Sequence, residues 1–252
     1  MAEENSDQSP GFNRERWAQF SATSWTNLLM ARQGDGQQSE AALEKLCRSY
    51  WYPLYAHVRR RGFDADQAQD LTQDFFFRIL RENYLGSVDR TKGKFRSFLL
   101  AALDHFLLDQ RKRANALKRG GGQIIISLDE EDAEGRFQNE PSVEMSAEKL
   151  FTRQWFLTLY EQVLAQLREE FIHSKKGEQF EVLRVFLTDD TGFRDYAAPA
   201  AQLGMTTNAV AVAVHRMRDR CRELMYAEIA RTVASPDELE SEVRHLLATL
   251  ER

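Results

Sequence analysis

The chain has 252 residues, of which 42% are apolar, and a formal net charge of −5. That is enough apolar material for one or two globular cores, and too acidic a balance for a protein that coats nucleic acid indiscriminately, so any such binding must come from local patches or from a partner. Cys47 and Cys221 are isolated, which excludes a disulfide framework or a cysteine zinc site, and no run approaches the roughly 18 apolar residues of a membrane span. A cytoplasmic protein with no membrane attachment is expected.

Met1 to Asn13 is polar and predicted to be loose. Ser24 can cap a short helix from Trp25 through Leu28, Leu29 and Ala31, ended by Gly34-Asp35-Gly36. From Ala41, the positions Leu43, Leu46, Tyr50, Leu54 and Val58 keep helical spacing, and Pro53 is expected to kink or divide the segment. Asp64 to Glu82 reads as the next helix, with Ala68, Leu71, Phe75 and Ile79 on a buried face. Asp66, Asp70, Gln73 and Asp74 form a stripe on the other face, which by itself reads as solvated.

Gly86 to Gly93 is turn-rich, and a long helix follows from Lys94 towards Arg119. Phe95, Phe98, Leu99, Ala102 and Phe106 give it an apolar first half, while its end carries Arg111, Lys112, Arg113, Lys118 and Arg119. Between Arg90 and Arg119, nine Lys/Arg stand against Asp104 and Asp109, a local balance of +7 in an acidic chain. A helix apolar at one end and cationic at the other can anchor itself and present charge to a polyanion, nucleic acid first; a core helix with a solvated basic end is the alternative.

Gly120-Gly121-Gly122 should end that helix, with Ile124-Ile125-Ile126 a short extended piece. From Asp129 to Glu148 there are eight Asp/Glu and one Arg, a composition that cannot bury enough surface to fold alone and reads as a linker. Beyond it, one amphipathic helix runs through Phe151, Trp155, Leu159, Val163 and Leu167, and another contains Phe180, Leu183 and Phe186. Tyr196 to Leu203 then forms a short helix, with Asp195 as its cap and Pro199 in its first turn. Gly204 supplies a sharp turn, and Thr206 caps a second helix through Val210, Val214 and Met217. This is helix-turn-helix spacing, and Arg216, Arg218, Arg220 and Arg222 give the second helix the charge to grip phosphates. Ser235-Pro236-Asp237-Glu238 opens a last helix with Leu239, Val243, Leu246, Leu247 and Leu250, expected to fold back on the second domain rather than await a partner.

Three stretches together resemble the small extracytoplasmic-function (ECF) group of bacterial RNA polymerase sigma factors. Asp70-Leu71-Thr72-Gln73-Asp74-Phe75-Phe76-Phe77-Arg78 is similar to the family's polymerase-docking signature. Gly93 to Leu99 with Asp109 to Arg113 resembles the segment that melts the minus-ten promoter element, and Tyr196 to Arg222 the helix-turn-helix that reads the minus-thirty-five element. The resemblance implies an all-α fold of two small helical domains: a flexible 1–13, a promoter-melting bundle over 14–119, an acidic linker over 120–149, a helix-turn-helix domain over 150–234 and a C-terminal helix over 235–252.

It also implies jobs for residues. Asp70, Gln73 and Asp74 would dock on core polymerase, whose clamp helices and flap are the expected contacts. Arg96, Phe98, His105, Gln110, Arg111, Arg113 and Lys118 would engage the melted strand, although the spacing of Phe98 also fits a core position. Thr207, Asn208, His215, Arg216 and Arg218 would face duplex DNA. The linker would imitate phosphates inside polymerase or act as a solvated tether. Where the family commonly offers a basic residue, this recognition helix has Ala211, and Ala198-Pro199 replaces an acidic-aliphatic pair.

No catalytic constellation is present: the histidines at 57, 105, 173, 215 and 245 are scattered, and no HExxH or phosphate-binding glycine loop occurs. No enzyme activity, metal or cofactor is expected. The expected function is a dissociable specificity subunit that binds core RNA polymerase, recognises and melts promoter DNA and is restrained by an anti-sigma factor, by a kinase or by its own C-terminal helix. The competing readings are a helix-turn-helix regulator acting without polymerase, and an adaptor that has lost DNA readout.

Overall fold

The computed structural model describes residues 37–81, 95–116, 130–140, 145–188, 195–233 and 236–250, and among them the fold is all-α. The expected helix at Trp25, its glycine break, the turn at Gly86–Gly93, and the glycine and isoleucine triplets after Arg119 lie outside these residues.

Helix α1 (Gln37–Arg60) runs through Pro53 without dividing. A proline inside a helix removes one amide donor and crowds the carbonyl one turn earlier. A neighbouring helix, α5 (Ala147–His173), packs beside this turn: Gln162 Nε2 donates to the Arg48 carbonyl at 2.7 Å, and its Oε1 accepts from Ser49 Oγ at 3.3 Å. Helix α2 (Ala65–Arg81) starts on a reciprocal cap, in which Gln67 N donates to Asp64 Oδ1 at 2.8 Å and Asp64 N donates to Gln67 Oε1 at 3.3 Å. Its expected inner face is buried at Ala68, Phe75 and Ile79, with Leu71 packed against the core.

Helix α3 (Phe95–Ala116) buries Phe95, Leu99, Leu103 and Phe106. Phe95 meets Tyr50 of α1 edge-on at 5.3 Å between ring centres, and Phe106 lies 5.8 Å from Phe75 of α2. Each fully buried ring or leucine of this kind contributes about 1.5–3 kcal/mol, so the first half is held by a continuous aromatic seam.

That seam continues into the second half of the chain. Trp155 of α5 stacks on Tyr50 at 6.2 Å, Phe151 meets His57 edge-on at 6.4 Å, and among the described residues α5 packs against α1 more extensively than any other two helices pack together. The two expected modules are in contact along this seam: the first helix beyond the linker packs on α1 as well as on the helices of its own segment, because its apolar stripe finds a complement on both.

The acidic linker is corrected. Residues Glu130–Gln138 form α4, which lies on the end of α1. Alone, the stretch lacks the apolar surface to fold, but α1 offers it arginines, and the resulting ion pairs, with Ala133 and Phe137 against the core, make up the difference.

The remaining elements are α6 (Gly177–Leu183), a 3₁₀ turn (Arg184–Leu187), α7 (Ala197–Leu203), α8 (Thr207–Ala230) and α9 (Pro236–Leu250). Helix α7 forms despite Pro199, which sits in its first turn, where amides have no helical partner; Asp195 Oδ1 accepts from Ala197 N at 2.8 Å. Helix α8 packs Val210, Val214, Met217, Cys221, Leu224 and Ile229 inward, largely against α5. Helix α9 folds back as expected, burying Leu239, Val243 and Leu246 against α5 and α8, while Leu247 is exposed. No helix among the described residues is long and apolar enough to cross a membrane.

Candidate nucleic-acid interface

The outer face of α2 presents Asp70 and Asp74 to solvent, with Gln73 half-buried beside them. No cation among the described residues pairs with either carboxylate. Partial burial, and then the charge of Asp70, raise the Asp74 carboxyl above its ordinary range. Two neighbouring acids with no internal counter-charge are electrostatically incomplete, as a face awaiting a basic partner would be.

Helix α3 divides as its composition suggests, with one correction. Arg96 does not face nucleic acid: its side chain is 3% exposed and paired with Glu242 of α9, itself fully buried, and its guanidinium lies 5.5 Å from the Trp155 ring. Burial lowers the Arg96 pKa to about 10, which leaves it charged at neutral pH. A signal for this was present in the last helix. Glu242 shares a face with Leu239 and Leu246, and a carboxylate on an apolar stripe requires a buried cation. Phe98 is half-buried and 6.1 Å from Phe95, so of its two expected roles the fold favours the packed one.

Further along α3, His105 is exposed and Gln110 half-buried. Arg111 is exposed; it donates to the Arg61 carbonyl at 2.8 Å, and its guanidinium lies 5.2 Å from the Phe63 ring. That bond ties one nitrogen of the guanidinium to the end of α1, while the residue as a whole stays exposed. The side chain of Arg113, and the whole of Lys118, lie outside the described residues.

At α7–α8 a seven-residue helix, a glycine turn and a second, longer helix follow one another. Gly204 adopts φ 63°, the left-handed conformation that glycine enters without steric cost, and Met205 N returns to the Ala200 carbonyl at 2.9 Å. Thr206 Oγ1 accepts from Ala209 N at 3.2 Å and starts the second helix. Thr207, Asn208, His215 and Arg216 are exposed on α8, and His215 Nδ1 lies 2.8 Å from Asp219.

Arg218 is the second correction. It turns inward, where Nε and Nη2 both donate to the Phe186 carbonyl and tie α8 to the 3₁₀ turn. Its place four residues after Val214 and three before Cys221, both buried, puts it on the inward side of the helix. Arg220 is held by Glu170 at 2.7 Å and by Glu223 at 2.8 Å, and Arg222 by Asp219 at 3.0 Å. Arg218, Arg220 and Arg222 are thus engaged within the protein, while Arg216 is exposed. It borders a groove of about 570 Å³ that is also lined by Phe171, Met205, Ala209 and Val212.

One cluster was not singled out from the sequence. Arg59, Arg60 and Arg61 close α1, and Glu134 and Glu140 reach the first two of them. The run of three arginines ahead of Gly62 was the available signal.

A family model described as ECF sigma factor matches residues 23–190, more than half of the chain, and ends short of α7 and α8. Comparison with curated proteins and with solved structures gives no match.

Proposed function

The chain belongs to the ECF sigma factor family, RNA polymerase-binding proteins that direct transcription to promoters, and from that premise we propose how its surfaces divide the work. The acidic face of α2, at Asp70, Gln73 and Asp74, docks on the clamp helices of core polymerase, and the groove beside Arg216 receives the polymerase flap. The exposed end of α3, with His105, Gln110, Arg111, Arg113 and Lys118, holds the separated strand of the minus-ten element. Thr207, Asn208, His215 and Arg216 address the minus-thirty-five element in the major groove. The chain acts in the cytoplasm as a specificity subunit, leaves the chemistry of polymerisation to its partner, and is restrained by an anti-sigma factor or a kinase.

The observation that carries this reading is the state of Arg111. It stands exposed near the end of a helix whose other end is buried against Tyr50 and Trp155 and whose middle packs on Phe75, the arrangement needed to hold a cation firmly against a passing strand.

A second reading, an adaptor that docks on polymerase without reading DNA, draws support from α8, where Arg218, Arg220 and Arg222 are engaged within the protein. Run-off transcription with core polymerase separates the two. A start site that depends on this protein supports the sigma-factor reading, and polymerase binding without such a start site supports the adaptor. Tight binding of the isolated protein to a palindromic duplex would instead favour a polymerase-independent regulator.

A further inference from the structure

Four arginines converge where the end of α1 meets the end of α3. Arg59, Arg60 and Arg61 close α1, and Arg111 is tied to this end through the Arg61 carbonyl. Arg61 and Arg111 are exposed, whereas Arg59 and Arg60 lie under the acidic segment that follows α3. There Arg59 grips Glu134 with two bonds, Nε at 2.9 Å and Nη2 at 2.7 Å, and Tyr55 donates to the same carboxylate. Glu140 accepts from both Arg60 and Tyr52, and Phe137 lies 4.9 Å from the Arg59 guanidinium and 5.6 Å from that of Arg60.

We propose that Arg59 and Arg60, continuous with Arg61 and Arg111, form a binding site for the phosphodiester backbone of DNA, and that the acidic segment Glu130–Glu140 is its built-in occupant, displaced when DNA binds. The inference rests on the reading above, in which the end of α3 meets promoter DNA.

Three features carry it. A guanidinium fork accepts a carboxylate and a phosphate through the same pair of parallel bonds, so Arg59, already bidentate on Glu134, is organised for a two-oxygen anion. The occupant is short: α4 has nine residues, includes Gly135, and holds on through Ala133 and Phe137 against the core and through Arg136, which lies 4.1 Å from the Tyr52 ring and 3.0 Å from Glu161; a helix that short is marginal without its partners. It also satisfies its host incompletely, since Arg60 Nη1 is buried with no hydrogen-bond partner among the described residues. A phosphate brings more acceptor oxygens than the carboxylate it replaces.

The test uses the full-length protein, a fluorescent duplex of arbitrary sequence and its single strand, with anisotropy read from 50 to 200 mM salt. Glu134→Gln with Glu140→Gln removes the competing charges. The expected result is tighter binding of duplex, single strand or both, with a log–log salt slope steeper by about 2 for two more phosphates, so that the gain is about tenfold larger at the low-salt end than at the high-salt end. Adding Arg59→Gln and Arg60→Gln should cancel it. Unchanged affinity and slope for both probes would overturn the proposal.

A second measurement needs no variant: saturating DNA should accelerate amide hydrogen exchange over residues 130–140 of the wild-type protein, and undiminished protection there would overturn it as well. The outcome is separable from that of run-off transcription. A protein that supports transcription but shows neither effect rejects the displaced segment alone, and one that shows both but supports no transcription rejects the sigma-factor reading.

Discussion

Arg96, in the first turn of α3, and Glu242, in the middle of α9, form an ion pair buried from solvent, so the segment that resembles a promoter-melting element is tied to the last helix of the chain. The Trp155 ring closes the site from the side of α5. Three helices from both halves of the sequence thus meet at one guanidinium.

Removing Glu242 leaves the Arg96 guanidinium buried without its paired carboxylate, and removing Arg96 takes a buried opposite charge away from Glu242. Arg96→Ala or Glu242→Ala should each cost about 3–5 kcal/mol, whereas Arg96→Met combined with Glu242→Leu should recover most of that loss. Urea denaturation of the three variants checks this; equal losses for singles and double would mean that the pair contributes nothing beyond packing.

Reversing charge on the outer face of α2 should separate docking from folding. Asp70→Arg with Asp74→Arg is expected to abolish co-purification with core polymerase while leaving helical circular dichroism unchanged, because neither carboxylate is used inside the described fold. Retained co-purification would refute the docking assignment.

Arg111→Ala should weaken open-complex formation and lower the magnitude of its salt slope by about 1, the signature of one phosphate contact removed. Because Arg111 also caps the Arg61 carbonyl, thermal melting of the same variant measures how much of the effect is structural. An unaltered salt slope would count against the strand-binding role.

His57 supplies a pH dependence. It is buried, with Nε2 2.9 Å from Asp104, and burial lowers its pKa against the opposing pull of that carboxylate. The folded protein therefore resists the proton that the unfolded chain accepts at about pH 6.5. Stability should be full above that value and fall as pH drops below it. Melting temperatures between pH 7.5 and 5.5 should decline for the wild type and decline less for His57→Gln. Parallel curves would show that His57 is not the group responsible.

The parts of the molecule that were legible in the sequence are those fixed by neighbours a few positions apart. The inner face of α2, the α7–α8 turn at Gly204, the cap at Thr206 and the return of α9 all follow from spacing of three or four residues, from one backbone conformation or from one hydroxyl. Arg218 was misassigned by counting charges along α8 without placing them on its faces, information that the same periodicity contained.

Other features could not be read in this way. Whether Arg96 faced DNA or Glu242, whether the acidic stretch was a tether or a helix laid on Arg59 and Arg60, and whether the two halves stood apart or shared Tyr50 and Trp155 were settled by packing alone. By itself the sequence determined the helices, their apolar faces and the family to which the chain belongs, since periodicity, caps and motif order are short-range properties. Tertiary structure decided which charges remain available to a partner, because a charged side chain takes whichever opposite charge the folded chain brings nearest, and that distance is unrelated to separation along the sequence.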